Sequence, residues 1–261
     1  MLKILRYSLN DLLRSRWSYV YFFFYFVLGF VLLFLNNDVS KAVITLMNII
    51  IILTPLIATI FGVMYYYNSK EFTELLLAQP INRNKIIIGQ YLGVAISLSL
   101  SLVIGLGVPF LFYGLFNNAE ATGNFALLLT TGTFLNFIFV SLAYNIAISN
   151  DNKIMGFSFS ILMWLIFAVV YDGLFLVLLF YFSDYPLEKF SLIGMMLNPI
   201  DLSRILILLK LDISALLGFT GAVFKDFFGT NLGLFISLGV LSLWVILPVL
   251  RLHFKLKKKD F

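Results

Sequence analysis

Residues 68–90 read NSKEFTELLLAQPINRNKIIIGQ, a polar stretch set between two long apolar blocks. Glu71 and Glu74 lie one helical turn apart while Phe72, Leu75 and Leu76 take another side, so Lys70 to Ala78 reads as a short amphipathic helix. Pro80 ends it, because proline brings no backbone donor and restricts Gln79 before it. Asn82, Arg83, Asn84 and Lys85 follow before the chain turns apolar again. A short helix tied between two membrane spans converts a push from a soluble partner into movement of those spans. An ordinary solvated loop would give the same pattern.

The flanking blocks set the fold class. Of the 261 residues 61% are hydrophobic and only 12% charged, and the mean hydropathy is +1.01, outside the range of soluble globular domains. A span needs about 20 apolar residues, and blocks of that length fall near 17–35, 43–66, 91–116, 125–148, 156–182 and 232–250. The expectation is an all-α polytopic membrane protein of six transmembrane helices forming one permease-like domain, with no soluble catalytic domain. The first apolar block is full span length and follows charges out to Arg16, which predicts a retained anchor rather than a cleaved signal.

Both termini are expected in the cytoplasm. That orientation puts thirteen of the 18 Lys and Arg inside: Lys3, Arg6, Arg14, Arg16, Lys70, Arg83, Lys85, Lys153, Arg251, Lys255, Lys257, Lys258 and Lys259. Lys41, Lys189, Arg204, Lys210 and Lys225 remain outside. The net charge of +5 therefore calls for anionic lipid at the 251–261 tail, not for nucleic acid.

Along the chain, residues 1–16 place Leu2, Leu5, Leu9, Leu12 and Leu13 on one stripe, as an interfacial helix on the cytoplasmic leaflet would. The second span carries Thr54 and Pro55 near its centre and ends in Tyr65, Tyr66 and Tyr67, leading into the polar stretch. In the third, Gly89, Gly93, Ser97, Ser101 and Gly105 recur every four residues, a stripe for close helix approach, either sliding or fixed. Asp172 sits deep in the fifth span and should face the bundle interior or a hydrated cavity. It reads as a charge or hydrogen-bond partner, not a proton relay, because no second acid appears at comparable depth.

Residues 183–231 read as an outer-face helical platform, partly embedded. Asn198, Pro199 and Asp201 make a good helix start, with Asn as cap and Pro at the first helical position. Leu202, Ile205, Leu206 and Leu209 would hold that helix to the membrane while Arg204 and Lys210 face outward; alternatively Arg204 pairs with Asp201 one turn earlier. A second helix is expected from Asp212 to Phe228.

Several chemistries lack their residues. There is no cysteine, and the single histidine, His253, lies in the tail, so no catalytic residue and no metal site is expected. Met195 and Met196 are adjacent and point apart while Met47, Met64 and Met163 are scattered, which suits core packing better than a copper path. No GxxxxGK[ST] loop is present, so this chain is expected to hold no cofactor.

At ELLLAQPINRNKIIIGQYLG the chain resembles the permeases of type-2 ABC exporters, whose first cytoplasmic loop carries the helix that docks on the ATPase. At NPIDLSRILILLKLDISALLGFTGAVF it resembles the NosY family, the membrane subunit of the nitrous oxide reductase maturation system, and this resemblance extends over nearly the whole chain. The resemblance implies a bacterial cytoplasmic-membrane complex of two permease copies, a NosF-like ATPase that binds ATP and Mg, and a NosD-like periplasmic β-helical protein, serving copper insertion into the reductase. It implies an ATPase-coupling site at Lys70, Glu71, Glu74, Leu75, Pro80 and Arg83. It likewise implies a periplasmic-partner platform at Asn198, Pro199, Asp201, Arg204, Lys210 and Asp212. The alternative is an ABC permease that exports a lipid, a sulfur compound or another small solute; a scaffold without an ATPase is the third reading.

Overall fold

The computed structural model describes residues 2–14, 16–36, 39–78, 81–115, 119–182, 188–210 and 231–258. Among them every regular element is helical: α1 Leu2–Arg14, α2 Arg16–Asn36, α3 Val39–Asn68, α4 Lys70–Leu77, α5 Arg83–Phe112, α6 Ala119–Ser149, α7 Lys153–Leu165, a π-helical turn Ile166–Val170, α8 Tyr171–Tyr181, α9 Glu188–Met196, α10 Pro199–Lys210 and α11 Asn231–Lys258. Six helical stretches are long and apolar enough to cross a membrane: Ser18–Asn36, Lys41–Asn68, Arg83–Phe112, Ala119–Ser149, Lys153–Tyr181 and Leu232–Lys257. An even number of crossings returns the last helix to the face from which α2 starts. Ile81 to Asn84 line a small cavity with Leu256 and Lys257, so the α4–α5 connection lies on that same terminal face.

The core sits between α2, α3, α5 and α6, where Tyr25, Tyr91, Tyr144, Phe110 and Phe139 are fully buried. The third and fourth spans are 61% and 56% buried and the fifth only 11%, so the fifth presents its apolar face to lipid or to another subunit. The small-residue stripe of α5 is fixed packing. A Cβ on Gly93 would stand 2.6 Å from Ser8 Cβ, and one on Gly105 would stand 3.0 Å from the Phe22 carbonyl oxygen, so α1 and α2 lie pressed along α5. The first helix is thereby part of the bundle, held by half-buried Leu5 and Leu9 and buried Ser8 and Leu12.

The structure departs from the sequence reading in several places. The third span begins at Arg83, not near 91; a helix of 30 residues runs about 45 Å, beyond the ~30 Å hydrocarbon core, so its polar first turn can stand outside the bilayer. The fifth span is interrupted by the π turn. The largest difference is α9 and α10, which form one bent pair with 112° between them.

That pair is no surface platform. Nine residues of α9 reach about 13 Å, half the hydrocarbon thickness. At its end the Met196 carbonyl accepts from Trp244 Nε1 at 3.2 Å, and Asn198 Nδ2 donates to the Phe167 carbonyl at 2.8 Å. Trp244 and Phe167 both lie near the middle of their spans. The break between α9 and α10 therefore sits at mid-depth, and the pair is re-entrant. From Pro199 to Leu208 its second helix is buried except at the partly buried Arg204: Ile200, Leu202, Ser203 and Ile207 are 0% exposed and Asp201 5%. The expected outward face is not seen at Arg204, because the side chains of Asp201, Ser203 and Arg204 find partners inside the bundle.

Candidate functional site

On the terminal face, α4 continues from α3 through Ser69, whose φ of −91° and ψ of 6° turn the chain out of the helix. Hydrogen bonds cross that bend: Ser69 N–H and Oγ both donate to the Tyr65 carbonyl at 2.9 and 2.7 Å, and Thr73 N–H donates to the Ser69 carbonyl at 2.8 Å. The inner side of α4 is pinned as well. Gln90 Nε2 of α5 donates to the buried Thr73 Oγ1 at 2.9 Å, and Phe72 stacks on Tyr7 of α1 with ring centroids 4.8 Å apart. Lys70, Glu71, Glu74 and Leu75 are left exposed, Leu75 at 69%. The result is an acidic patch with an apolar centre on a helix joined by hydrogen bonds and ring stacking to α3, α1 and α5.

The middle of α3 connects to the fifth span. Pro55 donates no hydrogen bond, which loosens the helix ladder one turn before it. Trp164 Nε1 of α7 donates to the Ile52 carbonyl there at 3.2 Å, and a hydroxyl chain joins Tyr21, Tyr25 and Thr54 at 3.0 and 2.8 Å. Tyr67 OH, at the terminal-face end of α3, donates to the Asn150 carbonyl at 2.6 Å. Gly156 makes room for that ring, since a Cβ there would meet the Tyr67 hydroxyl oxygen at 2.0 Å.

Beyond Trp164 comes the π turn, a geometry that leaves a carbonyl without its helical donor. Asn198 supplies one. Its Nδ2 donates to the Phe167 carbonyl and to Asp201 Oδ2, each at 2.8 Å, and its Oδ1 accepts from Ile200 N–H at 3.0 Å, capping α10. Arg204 Nη1 donates to Asp172 Oδ2 at 2.7 Å and lies 3.4 Å from Asp201 Oδ1. Tyr171 OH donates to the Gly194 carbonyl. Around this cluster a cavity of about 130 Å³ is walled by Phe175, Leu176, Met195 and Ile205. Two carboxylates and one guanidinium thus tie the re-entrant pair to the first turn of α8.

Gly194 is the tight point. A Cβ there would come 2.3 Å from Phe175 Cε2, and that ring cannot swing freely because it stacks between Tyr171 and Phe190 at 6.1 and 6.3 Å. Gly194→Ala is expected to cost about 1–3 kcal/mol by overpacking, read as a lower unfolding midpoint in detergent. Gly173→Ala, with open space around it, should leave the midpoint unchanged.

The sequence reading placed Asp172 and the Asn198–Asp201–Arg204 group in separate regions; the structure brings them together. The second acid beside Asp172 is Asp201, so the reason given against a proton-carrying pair does not hold. Pro80, the Lys210 side chain and Asp212, together with the expected helix from Asp212 to Phe228, lie outside the described residues. Arg83 is the first residue of α5 and is exposed. Thr73, Gln90, Trp164 and Phe167 were missed, as neutral groups whose partners come from other helices. Among the described residues no group of three His, Cys, Asp or Glu is placed to hold a metal ion.

An all-α, multi-pass bundle with an exposed helix on one face and a re-entrant pair entering from the other defines the class: a polytopic membrane protein. Comparison with known proteins supports the ABC transporter class and, within it, a permease of the NosY type. The chain is 26% identical to the probable ABC transporter permease protein NosY of Stutzerimonas stutzeri, over 94% of this chain and 87% of that protein. It is 25% identical to the protein of the same description from Pseudomonas aeruginosa, over 81% of this chain and 82% of the relative. No family model matches the chain.

Proposed function

We propose that this chain is the membrane subunit of an ABC complex that couples a separate cytoplasmic ATPase to a periplasmic partner in copper-site maturation of nitrous oxide reductase. The terminal face then lies in the cytoplasm of a bacterial inner membrane, α4 receives the NosF-like ATPase, and ATP and Mg bind to that subunit. A second copy completes the permease, since six spans make half of such a pore. The opposite face receives the NosD-like β-helical protein at the mouth of the re-entrant pair. The observation that supports this reading best is the hydrogen-bonded junction from α4 into α3. It leaves an exposed acidic and apolar patch fixed to a core helix.

Purification of the chain co-expressed with its ATPase and periplasmic subunit should yield an assembly containing two copies of this chain. A monomeric chain that retains neither partner would contradict the proposal. The second reading, export of an apolar or lipid solute, draws on a groove of about 620 Å³ between α5, α6 and α11, lined by Val103, Leu129, Phe134, Phe137, Val245 and Ile246. ATP-dependent lipid flipping in liposomes that contain only this chain and the ATPase would favour it.

A further inference from the structure

A second cavity lies at the terminal face, where α1, α3 and α4 meet. Its volume is about 310 Å³, and four aromatic rings, Tyr7, Phe61, Tyr65 and Phe72, line it together with the carboxylate of Asp11. The hydroxyl of Tyr65 faces Ser8 and Asp11. Among the described residues Asp11 makes no ion pair, although Arg14 stands one turn further along α1. A carboxylate without a cation, beside the Tyr65 hydroxyl and the stacked Tyr7–Phe72 pair, is complementary to an ammonium group, which gains from the charge and from the outer ring faces.

The cavity is also graded from polar to apolar. Asn68 is the last residue of its span and Ser69 lies at the α3–α4 bend just beyond it, whereas Phe61 and Met64 lie further into the span and line the cavity with Leu12. Ammonium, phosphate and acyl chain follow one another in a zwitterionic phospholipid, and the cavity stands at the terminal-face end of the span formed by α3.

We propose that this cavity is a binding site for an amine-bearing phospholipid, with the ammonium between Tyr7, Tyr65, Phe72 and Asp11. The site bridges α1 to the α3–α4 bend. Lipid seated there braces the helix that carries the exposed acidic patch.

The test uses the full chain, purified in detergent, delipidated and titrated with phosphatidylethanolamine, phosphatidylglycerol or soluble phosphoethanolamine, with bound ligand counted by native mass spectrometry. Wild type is expected to prefer phosphatidylethanolamine to phosphatidylglycerol by about tenfold, the size of a charge-assisted cation–π contact. Asp11→Asn should abolish that preference and Tyr7→Leu should reduce it about threefold; both positions are exposed, so neither change is expected to prevent folding. Equal binding of the two lipids by wild type, or an unchanged preference in Asp11→Asn, would overturn the proposal. Phosphoethanolamine binding as tightly as the intact lipid would replace the lipid by a soluble amine. Loss of ATPase binding in Asp11→Asn, with lipid preference intact, would assign the cavity to a basic side chain of that partner instead.

Discussion

Arg204→Leu is expected to be among the most damaging single substitutions in the chain, lowering stability by about 3 kcal/mol, the low end of what removing one partner of a buried ion pair costs. The low end applies because Arg204 and Asp172 keep 29% and 28% of their side-chain surface. Without the guanidinium, Asp172 and Asp201 face one cavity with no cation between them, and a carboxylate is left there without its counter-charge. Asp172→Leu should cost less, since Arg204 then still faces Asp201 and the charges balance. Asp172→Asn should cost least, because the amide oxygen still accepts from Nη1. Thermal unfolding in detergent gives the order directly. Equal midpoints for Arg204→Leu and wild type would mean that the re-entrant pair is held by apolar packing alone.

The double substitution Glu71→Lys with Glu74→Lys should leave insertion and thermal stability unchanged and abolish association with the ATPase. Both side chains are exposed on α4, while the contacts that hold this helix are made by Phe72 and Thr73 on its other side. Reversing two charges therefore changes the field of the docking surface without touching its support; like charges set against a basic partner surface cost several kcal/mol. Copurification reads the result, with Leu75→Glu as a second variant that removes the apolar centre of the patch. Normal ATPase binding by both variants would make α4 an ordinary solvated helix.

Apolar block length placed all six spans, because about 20 hydrophobic residues leave a chain little alternative in a bilayer. The α4 helix was legible for a similarly local reason, since its two acids and its apolar residues fall on different sides within eight residues. What stayed hidden is tertiary. Asp172 and Arg204 are 32 residues apart, and nothing local in either segment names the other, although a lone acid in an apolar span does predict a cation somewhere. The Asn198 cap was read correctly as a helix start. Its second use, donating to Phe167, depends on a π turn that an unbroken apolar run conceals. Burial of α10 was misread because one apolar stripe was counted while Ile200 and Ile207, on other sides, were not.

Movement imposed on α4 is expected to reach the re-entrant pair through α3, Trp164 and the π turn. The chain contains no cysteine, so a single Phe190→Cys label, at an exposed position on α9, reports only that site. In the complex with the ATPase, the distance between labels on the two copies of this chain, measured by pulsed electron spin resonance, is predicted to change when ATP binds. The change should disappear in Glu71→Lys with Glu74→Lys. A distance distribution that stays the same with and without ATP in the wild-type complex would contradict the coupling.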